Sequence, residues 1–427
     1  MASPTISNIH SPSHPGAGLV DRTPWHSALG DRHGTLCYMP FLNVVDPAFS
    51  FTAPEVFDAQ DSGWCADSPV GPIVLRYAEV AELLRDRRLD HGGDDYLRRN
   101  GVTSGPIHDW WVPMIVNHDG ADHRRLRGLV GRSFTARTID RLRPFIRARA
   151  EELADHVDEA DFVDTFANRL PLAVMCELLG VPAEDYDVFS VWTSDIGLIF
   201  GLAAGGDTAD RVERAVAGLD GYVDTLIDEK AKNPADDLIS SMVAAWRADR
   251  AVTREELRNL LVTLVFGAHD NTRHQFSNTM VTFAEHPAQW TVLRDRPELA
   301  GRAITESMRW RPSAATVFRR VAEDFEFRGL PIAAGTFMTM AVATAQRDPR
   351  AYPGGRSFDI TATREAPLLQ FGGGPHYCLG SALAHAELGE ALPILARRFG
   401  APIIAGEVTW RPAIGIHGPD MLPLRFG

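Results

Sequence analysis

An uninterrupted helix-compatible stretch near the middle of the chain limits what this sequence can fold into. Thr253 and Glu256 form a capping box, and helix-compatible residues continue to Ala284 before Pro287 ends the pattern. At 1.5 Å per residue, this run of about 30 residues predicts a rod of roughly 45 Å. A helix of that length crosses a whole domain, so the other elements must pack around it.

The rest of the interior also reads mainly as helix. Apolar residues recur at helical spacing in six further segments, which are 80–84, 126–130, 145–157, 170–179, 212–227 and 238–246. Short β signals occur at Phe325–Phe327, Phe337–Val342 and Thr409–Phe426. The predicted fold class is therefore mainly α with small β-sheets. We expect a mobile tail over residues 1–20 and a single domain over 21–427.

Composition excludes several classes of protein. The 427 residues are 45% hydrophobic and carry a net charge of −13, which favours a globular chain with a large core over a nucleic-acid binder. The four cysteines, Cys37, Cys65, Cys176 and Cys378, form no CxxC pair, so neither a disulfide framework nor a zinc knuckle is indicated. We find no signal segment and no apolar run of about 20 residues. A cytoplasmic protein that does not contact membranes or nucleic acid is the prediction.

The strongest chemical signal is the loop Phe371–Gly380, with the sequence FGGGPHYCLG. Its glycines and proline force a tight turn, and an Ala- and Leu-rich helix follows at once, so Cys378 lies beside a helix N-terminus. Unpaired N–H groups there favour a thiolate, the form that binds metals or acts as a nucleophile. This loop lacks the Lys-Ser/Thr pair of a phosphate-binding loop. The sequence also shows no motif that would supply the general base of a cysteine hydrolase. A buried structural cysteine remains the alternative.

This loop resembles the haem-binding loop of the cytochrome P450 family at Phe371, Gly374, His376, Cys378 and Gly380. Other segments resemble that family's motifs in the same order, from about residue 70 to the end of the chain. Glu306 and Arg309 resemble its structural ExxR pair. His123, Arg127 and Arg319 resemble its partners of the haem propionates, with Arg320 a second choice for the last. Either Arg356 or Arg364 completes the ExxR network, and the sequence does not choose between them.

The resemblance implies haem b as cofactor, with the Cys378 thiolate as the axial ligand of its iron. Such a thiolate pushes electron density onto the iron and favours O–O cleavage. The cofactor-binding residues implied are His123, Arg127, Arg319, Phe371, Gly372, His376, Cys378 and Gly380.

The central helix departs from the family pattern. An acid followed directly by threonine is usual, whereas here Asp270 is followed by Asn271, and Thr272 comes one position late. Because a helix turns about 100° per residue, Thr272 does not inherit the usual threonine's direction. Proton delivery must then differ, through ordered water, Asp270 or a polar group of the substrate. The catalytic candidates are Ala268, His269, Asp270, Asn271 and Thr272.

Substrate-facing residues are inferred from position in the family pattern. Their aromatic content favours a bulky, flat or aromatic ligand, with ordinary core as the alternative for each residue. These candidates are Trp110, Trp111, Met114, Ile115, Trp192, Ile196, Phe200, Ala315, Val317 and Ile416.

An arginine-rich segment is the one clue to a macromolecular partner. Between Arg124 and Arg149 there are nine arginines and one acidic residue, Asp140. In the family the corresponding face receives a small acidic ferredoxin, so a ferredoxin, supplied by a ferredoxin reductase, is the expected electron donor. A solvated helix face is the alternative.

The sequence therefore predicts a P450 monooxygenase that oxidises a bulky, aromatic small molecule of secondary metabolism. Three alternatives stay open. Radical C–C or C–N coupling would leave no oxygen in the product, a peroxygenase would turn over on hydrogen peroxide alone, and a haem sensor would not turn over at all.

Overall fold

The predicted central helix forms where the capping box places it. In the computed structural model, which describes residues 39–157, 160–199, 207–249 and 251–427, this helix spans Arg254–Glu285. The Thr253 hydroxyl accepts from the N–H of Glu256, and the Glu256 carboxylate accepts from the N–H of Thr253. The helix ends just before Pro287, which begins the next one.

Helices make up most of the described chain. In order they are α1 (Pro54–Ser62), α2 (Tyr77–Leu83), α3 (Gly93–Arg99), α4 (Pro106–Trp111), α5 (Gly120–Ser133), α6 (Ala136–Ala154), α7 (Arg169–Leu179), α8 (Tyr186–Ile196), α9 (Thr208–Lys232), α10 (Leu238–Asp249), α11 (Arg254–Glu285), α12 (Pro287–Asp295), α13 (Ala300–Trp310), α14 (Val342–Ala345) and α15 (Ser381–Arg398). The predicted class, mainly α with small sheets, is confirmed.

The strands are short. They are β1 (Cys65–Ala66), β2 (Ile73–Val74), β3 (Leu89–Asp90), β4 (Ala160–Asp161), β5 (Val317–Val321), β6 (Phe325–Phe327), β7 (Leu330–Ile332), β8 (Phe337–Met340), β9 (Pro402–Ile404), β10 (Thr409–Trp410), β11 (Pro419–Met421) and β12 (Pro423–Phe426). Five of them form one sheet in the order β1-β2-β8-β5-β3, in which only β2 and β8 run parallel. The other sheets are β4-β12-β9, β10-β11 and β6-β7.

The core surrounds α11, whose second half is buried almost all round. Helix α15 packs closely on α6 and also against α13. This packing holds the loop that precedes α15 opposite the middle of α11. Two smaller apolar clusters cover the two faces of the five-stranded sheet.

Two predicted boundaries, the end of a strand and the start of the domain, differ from the described structure or lie outside it. The strand expected over Phe337–Val342 ends at Met340, because Val342–Ala345 turns into a short helix instead. The tail predicted over 1–20, and the domain start at residue 21, lie outside the described residues, of which 39–427 form one unit. No described helix is long and apolar enough to span a bilayer.

Candidate active site

The cysteine loop is a tight turn that presents one sulfur atom. Gly372 and Gly374 adopt φ of +72° and +62°, values that L side chains rarely tolerate. The N–H of Cys378 donates to the carbonyl of Phe371 at 2.8 Å, which closes the loop. The Cys378 sulfur then accepts backbone N–H bonds from Gly380 and Ser381 at the start of α15.

Cys378 differs from the other cysteines that the structure describes. Cys65 and Cys176 are buried, and burial raises the pKa of each to about 12. Cys378 is exposed because its side chain faces a cavity, although protein packs around its other sides. This packing raises the pKa of Cys378, while the N–H of Gly380 and the Arg127 guanidinium oppose the rise. A bound metal ion would complete the stabilisation of the thiolate.

The cavity in front of Cys378 has a volume of about 330 Å³. The cysteine loop forms one wall and the middle of α11 forms the opposite wall. A Cβ built on Gly267 of α11 would meet no atom within 4 Å, so the glycine leaves the backbone open to this space. A planar cofactor held between sulfur and helix fits these walls.

A basic cluster consists of His91, His123, Arg127, Arg319 and His376. His123, Arg127 and His376 line one side of the cavity, and His91 and Arg319 lie next to them without lining it. The His376 ring lies 4.6 Å from the His91 ring and 4.3 Å from the His123 ring, measured between centroids. Arg127 donates to the Tyr377 carbonyl at 2.6 Å, which ties α5 to the cysteine loop.

Few acceptors balance this basic cluster. Asp119 is the carboxylate that contacts it in the described residues, and it bonds His376 at 2.9 Å. Arg319 is 4% exposed, yet its one side-chain hydrogen bond within the described chain goes to the Phe318 carbonyl. Buried donors of this kind are normally satisfied. They fit the two carboxylates of a haem group.

The pKa values of the basic cluster reflect the same imbalance. Burial, followed by His376 and Arg127, lowers the pKa of His123 to about 4. Burial lowers the pKa of Arg319 to about 10, against the attraction of Asp119 and Asp90. An anion placed among these groups would relieve both effects.

Only part of the segment 267–272 in the middle of α11 faces the cavity. Ala268, Asn271 and Thr272 line it, together with Gly267. His269 and Asp270 do not, which corrects the expectation that they face the reaction space. His269 is fully buried on another side of the helix, where its Nε2 lies 3.2 Å from the Asn168 carbonyl oxygen.

Asp270 is locked in a buried charge network. Its carboxylate accepts from Arg411 at 2.7 Å and from Arg273 at 3.1 Å, and both arginines also bond Asp420 at 3.1 Å. Burial alone would raise the pKa of Asp270, but Arg411 and His274 outweigh it and hold the pKa well below its ordinary value. A carboxylate so paired is a poor carrier of protons at neutral pH.

Most residues expected to face the substrate belong to the core instead. Trp110 packs edge-on against Phe266, and the Trp111 indole donates to the Gly93 carbonyl at 3.1 Å. Trp192 packs against Phe189 and Tyr222. None of these three tryptophans lines the cavity.

Of the remaining candidates for the substrate pocket that the structure describes, one lines the cavity and the others do not. Ile115 lines the cavity. Met114, Ile196, Ala315 and Ile416 are buried elsewhere, Val317 packs against the cluster beside the sheet, and Phe200 lies outside the described residues. Position in the family pattern had indicated these residues without showing which buried surface each would join.

The ExxR pair, Glu306 and Arg309, forms a hydrogen-bond network with only one of the two candidate arginines, Arg356 and Arg364. Arg309 is fully buried and donates to both oxygens of Glu306, at 2.7 and 2.8 Å. Arg364 also reaches both oxygens, at 3.2 and 3.1 Å. Arg356 bonds Asp61 instead, at 2.8 Å, so Arg364 completes the network.

The arginine-rich segment is largely neutralised within the chain. Arg125 pairs with Glu256, Arg143 and Arg147 with Glu390, and Arg141 with Asp236. Arg132 and Arg149 also have carboxylate partners. Arg124 and Arg137 are exposed and pair with no carboxylate in the described parts of the chain.

Comparison with known proteins decides the family. The family model "Cytochrome P450" matches residues 198–412. Luteothin monooxygenase from Streptomyces thioluteus is 43% identical over 392 residues, which are 91% of this chain and 96% of that protein. The chain belongs to the cytochrome P450 family.

Other P450 enzymes agree with this assignment. Mycinamicin IV hydroxylase/epoxidase from Micromonospora griseorubida is 34% identical over 363 residues, covering 82% of this chain and 88% of that protein. The solved structure of P450 RauA, complexed with a biosynthetic intermediate of aurachin RE, superposes with a TM-score of 0.81 at 25% identity, covering 90% of this chain and 99% of that one. This P450 is a haem-dependent oxidoreductase of the monooxygenase type.

Three residues around the site were not predicted from the sequence. His91 joins the basic cluster, Arg411 pairs with Asp270 across 141 positions of sequence, and Gln275 bonds the Ser313 N–H beside the cavity. Only Gln275 could have been found, because it lies one helical turn after Asn271 on the same face.

Proposed function

We propose that this P450 holds haem through Cys378 and inserts oxygen into a bulky, largely apolar small molecule of secondary metabolism. The observation that carries the proposal is the cavity between the Cys378 sulfur and the Gly267–Thr272 face of α11. When bound, haem supplies reductive activation of dioxygen. His123, Arg127, Arg319 and His376 would hold its carboxylates by charge-assisted hydrogen bonds.

Asn271 and Thr272 are the polar groups of α11 nearest Gly267 in the cavity. Neither side chain has a hydrogen-bond partner among the described residues, so both are available to water or to the substrate. Because Asp270 is bound to two arginines, we infer that protons arrive through water held by Asn271 and Thr272 and not from Asp270. The amide can orient such water, although it exchanges protons less readily than a hydroxyl group.

The character of the walls favours an aliphatic substrate surface. They are formed by Leu264 of α11 and, beside this helix, by Ile115, Val116, Met175 and Leu178. The aromatic rings that line the cavity, Phe134, Phe371 and Tyr377, include two from the cysteine loop itself. Stacking by tryptophans, the basis for expecting an aromatic substrate, therefore has no support in the geometry. The relatives named for luteothin and for mycinamicin IV support a secondary metabolite.

A ferredoxin is the proposed electron donor. Arg127 connects α5 to the cysteine loop, so the exposed face of α5 and α6 is close to the sulfur side of the cavity. Arg124 and Arg137 on this face are exposed and have no carboxylate partner among the described residues, so an acidic protein could contact them. Their charge would raise the rate of encounter more than the final affinity.

The proposal is tested with the holoenzyme in two steps. A panel of aliphatic and aromatic compounds of matched size is first scored by the spectral change on binding. The tightest ligand is then turned over with ferredoxin, its reductase and ¹⁸O₂. We expect one ¹⁸O atom in the product. An oxidised product without label would instead indicate radical coupling, turnover on hydrogen peroxide alone would indicate a peroxygenase, and no turnover at all would indicate a sensor.

A further inference from the structure

The pairing of β3 with β5 directs His91 towards the cofactor side of the sheet. In this antiparallel pair Leu89 lies opposite Val321 and Asp90 lies opposite Arg320. Arg320 and Asp90 form a bidentate ion pair on one face, in which the guanidinium nitrogens lie 3.0 and 2.6 Å from the two carboxylate oxygens. Since successive strand residues point to opposite faces, Arg319 is directed to the other face of the sheet. His91 directly follows β3, and burial, followed by the charge of the nearby Arg319, lowers the pKa of its ring.

The turn after His91 is fixed by a glycine. Gly92 has a φ of +71°, and a Cβ on it would lie 2.7 Å from the Phe337 ring. The chain can therefore reverse directly after His91 and enter α3, while the His91 ring stays beside His376 at 4.6 Å. Position and direction of His91 thus follow from the register and from one close approach.

The His91 side chain has no hydrogen-bond partner in the part of the chain that the structure describes. Its Nδ1 atom is buried and unpaired, and no hydrogen bond is formed by its ring within the described residues. The nearby Arg319 has the Phe318 carbonyl as its one side-chain acceptor among the described residues. The nearby Asp119 carboxylate is already bonded to His376. An unsatisfied buried donor is costly, so an acceptor from outside the chain is expected here.

We propose that His91 is a third histidine of the haem-carboxylate site and donates a hydrogen bond to a propionate that Arg319 also binds. The sequence motifs of the family do not include it. Its contribution is to retain the cofactor, and it does not depend on which substrate the enzyme takes. A carboxylate is the acceptor that the surrounding positive charge favours.

The experiment measures haem loss from the ferric holoenzyme to excess apomyoglobin. For His91→Ala we expect the rate of loss to rise roughly tenfold to a hundredfold, the range for one hydrogen bond to a charged group. His91→Asn retains a donor and should recover part of this loss. His156→Ala, which removes an exposed histidine whose side chain forms no hydrogen bond in the described chain, is the control and should not change the rate.

A second cofactor separates the proposed bond from simple packing. Wild type and His91→Ala are reconstituted with iron protoporphyrin IX dimethyl ester, which has no free carboxylate. We expect the two proteins to lose this cofactor at similar rates. Equal loss of ordinary haem from wild type and His91→Ala would overturn the proposal. So would an undiminished difference with the dimethyl ester, because it would assign His91 a packing role only.

Discussion

Asn271 and Asp270 are neighbours in sequence but have different surroundings. Asn271 faces the cavity, whereas Asp270 is fully buried and bound by Arg411 and Arg273. The helical rotation of about 100° per residue separates them. We therefore propose a role in the reaction for Asn271, whereas Asp270 links α11 to Arg411, which follows β10.

Substitution of these two residues should have different effects. We expect Asn271→Leu to lower the product formed per electron pair by about fivefold, because a hydrogen bond of about 1 kcal/mol is lost. Asn271→Thr should largely preserve that ratio. Asp270→Ala should instead destabilise the fold by about 3 kcal/mol, since it leaves buried arginines with less compensation. Measuring product, hydrogen peroxide and thermal unfolding of each variant distinguishes these outcomes. An equal fall in product per electron pair in Asn271→Leu and Asp270→Ala would contradict the assignment.

Glu387 on α15 gives a prediction about pH. Burial raises the pKa of this 1% exposed residue well above its usual value. The folded state therefore keeps a proton that the unfolded state releases above about pH 4.5, and stability falls as the pH rises from there towards the folded pKa.

Glu387→Gln should remove this dependence. We expect the decline in Tm between pH 5 and pH 8 to be smaller than in wild type. Glu390→Gln is the control on the same helix, because Glu390 is paired with Arg143 and Arg147 near the surface. A decline that is unchanged in Glu387→Gln would show that the buried carboxyl group is not protonated.

At the scale of elements, the ExxR network joins α13 to the chain that leads into the cysteine loop. Arg309 donates to the carbonyls of Gln346, Gly355 and Ser357, at 2.7 to 2.9 Å. Arg364 adds a bond to the Pro353 carbonyl. The network thus fixes the segment from which Cys378 is presented.

Arg364→Met and Arg356→Met test how selective this network is. The Arg364 side chain is 8% exposed beside a buried glutamate, so its loss should lower the free energy of unfolding by about 3 kcal/mol. Arg356 is 35% exposed and pairs at the surface, so its loss should cost less than about 1 kcal/mol. Denaturation of both holoproteins checks this, and equal losses would contradict the network as described.

Sequence reasoning succeeded for elements defined by local signals. The capping box of α11 and the glycines of the cysteine loop act within a few residues, so both were predicted. The two-residue strands β1, β2 and β3 were missed because their partners define them. The tryptophans were expected in the substrate pocket from their position in the family pattern and do not line the cavity, since such a position does not show the surface against which a residue packs. Contacts such as that of Asp270 with Arg411 form only in the folded chain, and no local sequence pattern indicates them.

At the scale of the whole molecule, charge is distributed unevenly. The chain carries −13 overall, yet its α5–α6 face has nine arginines from Arg124 to Arg149. Internal carboxylates pair with most of them, which leaves Arg124 and Arg137 as the exposed unpaired members of the described segment. Steering of an acidic partner should therefore depend on these two.

The double variant Arg124→Glu/Arg137→Glu tests this dependence. At low ionic strength we expect its reduction by ferredoxin to be at least about tenfold slower than in wild type, with the difference shrinking as salt screens the charges. Arg214→Glu/Arg425→Glu makes the same change in net charge at two other exposed arginines. Equal slowing in both double variants would show a general charge effect and no docking face.

The ferrous–carbon monoxide spectrum of the purified protein tests most directly whether the Cys378 thiolate binds the haem iron. We expect wild type and Cys176→Ser both to show the band of a thiolate-ligated haem, and Cys378→Ser to lose it. A wild-type protein that takes up no haem, or a Cys378→Ser protein that keeps the thiolate band, would contradict this assignment.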